Sequence, residues 1–95
     1  MAWDKALKVG KVERYSYGLS EWTNGEQIET ASITCSNQFA TISAVSIDNN
    51  AQLISFLATG VAVGTQQLRV NFSTLTRSDT SPLMKIKVIA LPVPQ

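Results

Sequence analysis

Along the last third of the chain, Leu68, Val70 and Phe72 alternate with Arg69, Asn71 and Ser73, and Met84, Ile86 and Val88 alternate with Lys85 and Lys87. Period-two alternation is the pattern of a strand with one buried and one wet face. The two runs flank Arg77-Ser78-Asp79-Thr80-Ser81-Pro82, so they are expected to pair as antiparallel neighbours. The same reading predicts a strand over Val12–Leu19 with Tyr15 and Tyr17 on one face. Another is predicted over Ile28–Ser36 with Ala31, Ile33 and Cys35 inward, where Ile28 falls out of phase and marks a bulge or the strand's start. A third covers Thr41–Ile47 with Val45 and Ile47 inward. Gln52–Thr59 is more continuously apolar and fits either a central strand buried on both faces or a short helix, and the turn formers at its flanks favour the strand.

Turn formers separate these runs. Asn24-Gly25 supplies the positive φ that a tight turn requires, Asp48-Asn49-Asn50 can cap its own turn, and Gly60 and Gly64 bound another. Trp22, beside the Asn-Gly turn, is read as a core plug. Pro92 and Pro94 withhold ladder donors and end the last strand, Met84–Leu91. Six or seven short strands at this spacing predict one all-β, antiparallel two-sheet sandwich over residues 12–91. Its expected inward set is Tyr15, Ile33, Val45, Phe56, Leu68, Val70, Phe72, Ile86 and Val88, each worth about 1.5–3 kcal/mol on burial, most of it offset by lost chain entropy. Residues 1–11 are expected to be an extended N-terminal arm, because Gly10 stops any helix and the segment is too short to fold alone. Residues 92–95 form a short C-terminal tail.

Composition narrows the classes. At 95 residues the chain builds one core, and 44% hydrophobic with 16% charged residues fits neither a disordered nor a membrane protein. Ser, Thr, Asn and Gln fill the polar positions, which suits strand surfaces covered by other protein. The formal net charge of +1 gives no whole-molecule field toward nucleic acid or an anionic membrane. The apolar stretch Leu53–Val63 is interrupted by Ser55, Thr59 and Gly60 and falls short of the ~20 residues of a spanning helix. The first residues lack the pattern of a signal peptide, so synthesis and assembly in the cytoplasm are expected. Lys5, Lys8, Lys11 and Arg14 recur every third residue along the arm and read as a solvated or assembly-contact stripe, too sparse in cations and aromatic rings for nucleic acid.

Reaction chemistry has few parts to draw on. With no histidine, the Ser-His-Asp and Cys-His systems and His-rich zinc sites are absent. Cys35 stands alone, so it forms no intrachain disulfide and is read as packing. Glu26 and Glu29 at i, i+3 on a strand face opposite sides and do not make a carboxylate pair. Asp48-Asn49-Asn50 lacks the spacing of a calcium loop, and Gly60 and Gly64 lack the Lys-Ser or Lys-Thr of a phosphate loop. No catalytic residue, metal or cofactor is expected, and the chain is read as a non-enzyme.

Six stretches carry a resemblance. Tyr15-Ser16-Tyr17-Gly18-Leu19-Ser20-Glu21-Trp22, Gly25-Glu26-Gln27-Ile28 and Ala31-Ser32-Ile33 resemble the Tyr-Ser-x-Asp-Trp strand and Gly-Asp/Glu-x-Ile turn that open a family of small immunoglobulin-like bacteriophage virion proteins. Ile54–Gly60, Gly64-Thr65-Gln66-Gln67-Leu68-Arg69-Val70 and Thr74-Leu75-Thr76-Arg77-Ser78-Asp79 are similar to that family's middle strand, its Gly-Thr strand start and its Thr-x-x-Gly-Arg-x-Asp hairpin. Gly18 replaces the family's acidic residue, and Leu75-Thr76-Arg77 lacks its hairpin glycine, which touches loop roles rather than the fold. The resemblance implies an immunoglobulin-like sandwich in a phage or prophage structural protein of the fibre-to-tail adaptor type. It further implies a location in the virion, in several copies or a homo-oligomeric ring, with tail, connector or fibre subunits as partners and neither nucleic acid nor membrane.

On that reading the candidate assembly contacts are Trp3, Leu7 and Lys8 on the arm, and Arg69, Lys85 and Lys87 on the outer face of the terminal hairpin. Arg77 and Asp79 in the loop that joins it, and Leu91 and Val93 in the tail, complete the set. Two other functions are weighed. A capsid decoration protein would differ by copy number. A carbohydrate-binding module would need Tyr15, Tyr17 and Trp22 exposed and coplanar.

Overall fold

The computed structural model describes residues 4–90. Among them eight strands and one helical turn follow in order: β1 (Asp4–Lys8), β2 (Val12–Gly18), α1 (Ser20–Thr23), β3 (Thr30–Cys35), β4 (Ala40–Asp48), β5 (Leu53–Gly60), β6 (Gly64–Ser73), β7 (Ser78–Thr80) and β8 (Met84–Ile89). One sheet has the order β1-β8-β6-β3, with β7 also paired to β6, and the other has β2-β5-β4. Their inner faces enclose a core of Leu7, Ala40, Ile54, Phe56, Ala58, Leu68, Val70, Phe72, Met84, Ile86 and Val88, closed by Leu19 and Ile28 from the connections. The all-β sandwich expected from the alternating pattern is what forms.

The terminal hairpin pairs as expected, from Gly64↔Val88 to Leu68↔Met84. The stretch Arg77–Pro82, expected to be a loop, is part of the sheet. Beyond Leu68, the same edge of β6 is taken by β7 through Asn71↔Thr80, Phe72↔Asp79 and Ser73↔Ser78. Ser81 joins the two pieces, because its N–H donates to the Val70 carbonyl (2.8 Å) and its hydroxyl accepts from the Val70 N–H (2.9 Å). A side-chain oxygen thus stands in where the ladder would need a carbonyl, and Ser81 is buried.

The N-terminal segment departs from the expected arm. Asp4–Lys8 is a strand, and it runs parallel to β8, Leu7 lying opposite Val88. Leu7, a candidate assembly contact, is therefore a core residue at 2% exposure. The chain then crosses to the other sheet through Val9, which bridges to Gly60, and the Gly10 N–H bonds the Gly60 carbonyl (2.8 Å). A Cβ on Gly60 would stand 2.5 Å from the Lys8 carbonyl oxygen, so this crossing needs a glycine for close approach rather than for φ. β1 buries one residue and wets its neighbours, and five residues carry too little pattern to reveal a strand in the sequence.

Strand β4 contains the other correction. Ile42 and Ile47 are five apart, an odd spacing that sends side chains to opposite faces of a regular strand. A bulge between Ser43 and Ser46, with Ala44 at φ 53°, inserts one residue, so Ile42 lies opposite Ala58 and Ile47 opposite Ile54. Both isoleucines then pack on the core and Val45, expected inward, is 38% exposed. Ile28 precedes β3 and is more deeply buried than Ala31, Ile33 or Cys35, which are half-buried. Asn49 clasps it, accepting from its N–H (2.7 Å) and donating to its carbonyl (3.3 Å). Strand β5 is the middle of its sheet, with Ile54, Phe56 and Ala58 buried and Leu53, Ser55, Leu57 and Thr59 half-buried.

The register defines two ends of the sandwich. One carries the Val61–Val63 turn between β5 and β6, beside the end of β1 and the start of β2. The other carries α1, the Asp48–Gln52 turn and the turn between β6 and β7.

Candidate functional site

At the second end, three stretches distant in sequence meet. Leu19 opens the single turn of α1, Asn24 leaves it in the left-handed region (φ 50°), and Gly25 follows at φ 90°, so the Asn-Gly pair turns the chain as its chemistry predicts. That turn places Trp22 edge-on to Phe72 of β6, with ring centroids 4.7 Å apart and planes at 81°. The Arg77 guanidinium covers the Trp22 ring at 4.4 Å and donates to the Trp22 carbonyl. Stacking of this kind at a partly exposed site is worth about 0.5–1 kcal/mol.

Glu26 is the acceptor that organises the corner. Its carboxylate takes hydrogen bonds from the hydroxyls of Thr74 (3.2 Å) and Thr76 (2.8 Å to the nearer oxygen) and lies 3.7 Å from Arg77 Nε. Thr74 Oγ1 in turn accepts the N–H groups of Thr76 (3.3 Å) and Arg77 (3.2 Å). The turn between β6 and β7 lacks a glycine, and its shape is fixed by these side chains. Glu26 is half-buried here, whereas Glu29 is exposed. The sequence reading placed both as solvated charge, because nothing local marks a partner fifty positions away.

Beside Trp22 lies an open cleft of about 450 Å³, lined by Tyr17, Ser20, Trp22, Phe72, Asp79 and Thr80 among others. Burial, reinforced by the nearby Asp79 carboxylate, pushes the Tyr17 phenol above its ordinary value, so at neutral pH it is a protonated donor. Tyr15 is raised in the same way, by burial and then by Glu13, and its hydroxyl donates to the Ala6 carbonyl (3.1 Å). Tyr17 and Trp22 lie 33° and 81° from the plane of Phe72, so their rings are not coplanar, and Tyr15 packs on Phe56 instead. The three rings form no flat platform.

The cleft continues onto the outer face of the larger sheet as a groove of about 580 Å³ lined by Thr30, Ser32, Asn71, Ser73, Ser78 and Thr80. Asn71 sits at its centre, donating to Thr34 Oγ1 (2.7 Å) and accepting from Thr80 Oγ1 (3.0 Å). Apart from the Asp79 carboxylate this surface is uncharged, and its amide and hydroxyl groups engage one another across three strands, which makes it a surface for covering rather than for activating a nucleophile. Among the described residues no three His, Cys, Asp or Glu side chains gather as a metal-ion set.

The sequence-predicted contacts scatter around this geometry. Arg77 and Asp79 flank the corner. Arg69 points out of the larger sheet and donates to the Ser81 carbonyl (3.1 Å). Lys85 and Lys87 are exposed on β8, where with Lys5 and Thr65 they line a recess of about 260 Å³, and Lys8 is exposed near the first end. Trp3, Leu91 and Val93 lie outside the described residues. Gln66 escaped the sequence reading although its phase matches Leu68 and Val70. It is fully buried, its Oε1 accepting the N–H groups of Phe39 (2.9 Å) and Ala40 (3.1 Å) and its Nε2 donating to Ser36 Oγ (3.1 Å). Cys35, read as buried packing, is half-buried and donates to Asn37 Oδ1 (2.9 Å).

No protein-family profile matches the chain, and no curated protein does. Solved structures do. Domains 4 and 5 of the S-layer protein SbsC align with 94% of this chain at a TM-score of 0.61 and 16% identity, and the chain spans 49% of that structure. The PKD domain from the KIAA 1837 protein aligns over 99% of this chain and 87% of its own length at a TM-score of 0.56 and 16% identity. The cysteine protease inhibitor EhICP2 from Entamoeba histolytica aligns over 93% and 85% at a TM-score of 0.52 and 11% identity. At such identities the likeness is one of architecture, and it shows an immunoglobulin-like β-sandwich.

Proposed function

We propose that the chain is a non-enzymatic structural protein of a bacteriophage virion, an adaptor in the tail or head-tail region that links fibres or neighbouring tail subunits and is assembled in the host cytoplasm. The observation that carries this reading is the Trp22 corner. Tyr17, Trp22, Glu26, Arg77 and Asp79, drawn from the separate stretches that resemble phage immunoglobulin-like proteins, lie around one corner of the fold. The hydroxyl-rich groove running from that corner, with Asp79 as its single charge, supports a surface that other protein covers. Domains of an S-layer protein, among the structural neighbours, share the same architecture.

The test is mass spectrometry of purified particles together with immunogold labelling against the full chain. The expected result is the chain in mature particles at the copy number of a tail ring, with gold at the tail or neck. A copy number near that of the major capsid protein would move it to capsid decoration. Absence from particles would overturn the reading.

A further inference from the structure

The net charge of +1 conceals a separation of charge along the molecule. Strand register places Lys5, Lys8, Lys11, Arg14, Lys85 and Lys87 in the half that ends at the Val61–Val63 turn, six of the eight cations, with Asp4 and Glu13 at register positions among them. The opposite half holds Glu21, Glu26, Glu29, Asp48 and Asp79, five of the seven acids, and Arg77, which Glu26 partners. Each end also carries exposed apolar side chains. Val61 and Val63 are 53% and 61% exposed at the basic tip, and Leu75 is 85% exposed at the acidic end. There Leu75, Glu26, Gln27 and Glu29 line a notch of about 250 Å³.

We propose that copies of this chain associate head to tail, the basic Val61–Val63 tip of one copy seating against the acidic Leu75 notch of the next. An apolar centre inside a charged rim is the usual anatomy of a protein contact, and here the two rims have opposite sign. Tip-to-tip or notch-to-notch pairing would oppose like charges, so the same distribution that favours the heterologous contact disfavours the two-fold alternatives. A heterologous contact closes into a ring or extends as a filament, according to the rotation it imposes. An acidic partner at the basic tip alone would leave the opposite notch unused, whereas self-association employs both ends. The inference rests on the assembly reading above only in taking another protomer as the occupant. Particle composition tests that reading, and the purified chain tests this one.

The experiment is sedimentation velocity on the full chain at about 0.05 M and about 0.5 M salt, conditions that differ several-fold in screening length. Two charge-reversed variants are compared, Lys11→Glu/Lys87→Glu at the basic end and Glu21→Lys/Glu29→Lys at the acidic end. All four positions are exposed, and thermal melts check that both variants fold. The expected result is concentration-dependent association that high salt weakens by about tenfold or more, with loss of association in either variant alone. An equimolar mixture of the two variants, in which the unaltered basic tip of one meets the unaltered acidic notch of the other, should associate again. A chain monomeric at both salts, a variant that associates like the parent, or a mixture that fails to restore association would each overturn the proposal. Binding of a polyglutamate peptide without self-association would do the same.

Discussion

The two ends of the sandwich solve the same problem with different materials. At the Val61–Val63 end the closure is by close approach to glycine backbone and by one buried amide side chain. Gly60 admits the Lys8 carbonyl, a Cβ on Gly64 would meet the Phe39 ring at 2.4 Å, and buried Gln66 holds the Phe39 and Ala40 N–H groups. At the Trp22 end the closure is by polar side chains, with Glu26, Thr76 and Arg77 exposed or half-buried and bonded, together with buried Thr74, to one another. Close packing concentrates the cost of change in single positions, whereas a solvated polar cluster shares it, since water substitutes for any lost partner. The first end is therefore expected to be intolerant, and the second adaptable.

The largest effect should come from Gln66→Leu, which leaves two buried N–H donors without an acceptor and should destabilise by about 2–4 kcal/mol, read as a lower urea midpoint at unchanged m-value. Gly60→Ala should follow, at about 1–3 kcal/mol, because the new methyl meets backbone that cannot move aside. Glu26→Gln removes the charge but keeps an acceptor at a site open to solvent, and should cost about 0.5–1 kcal/mol. If Glu26→Gln proved costlier than Gln66→Leu in the same urea series, the contrast between the ends would be lost.

Two smaller measurements sharpen it. The Tyr15 and Tyr17 phenols are raised in the folded chain, so above about pH 10 the unfolded chain releases protons that the folded chain retains. Their contribution is whole below that pH and is lost as pH rises through the folded values. The Tyr15→Phe/Tyr17→Phe variant should therefore show a flatter alkaline limb in a plot of melting temperature against pH. Leu75→Ser at the acidic end should leave stability within about 0.5 kcal/mol of the parent by thermal melt, since the side chain touches solvent rather than core.

What was legible in the sequence follows the physics of period and range. Leu68, Val70 and Phe72 announced their strand because three successive alternations leave one consistent face. The strand over Thr41–Ile47 was legible and Ile47 faced inward as expected, but Ile42 was missed and Val45 misplaced, because the odd spacing of Ile42 and Ile47 becomes consistent only through a bulge against the partner strand. Leu7 was hidden in five residues flanked by lysines, too short a run for periodicity, and Ser78–Thr80 is shorter still. At the candidate site, Arg77 and Asp79 were reached through the resemblance. Glu26 lies in a resembling stretch but was not singled out, since its partners Thr74 and Thr76 join it only when β6 and the Asn-Gly turn come to the same end. Gln66 carried a readable signal, a polar residue in the buried phase, where an amide must find partners inside the protein.

The parallel pairing of β1 with β8 also bears on how the molecule takes load. Force applied at Asp4 and Ile89 in opposite directions pulls two parallel strands along their length, so the five register pairs from Asp4↔Lys85 to Lys8↔Ile89 are strained together rather than opened in turn. Two antiparallel strands drawn apart from one end would unzip pair by pair at low force. In single-molecule extension between those two residues, the seam between β1 and β8 should give one abrupt high-force rupture, and deletion of the pairing should turn it into a gradual yield. The first strand, five residues long, thereby makes the sandwich a tension-bearing link along the direction of its own chain.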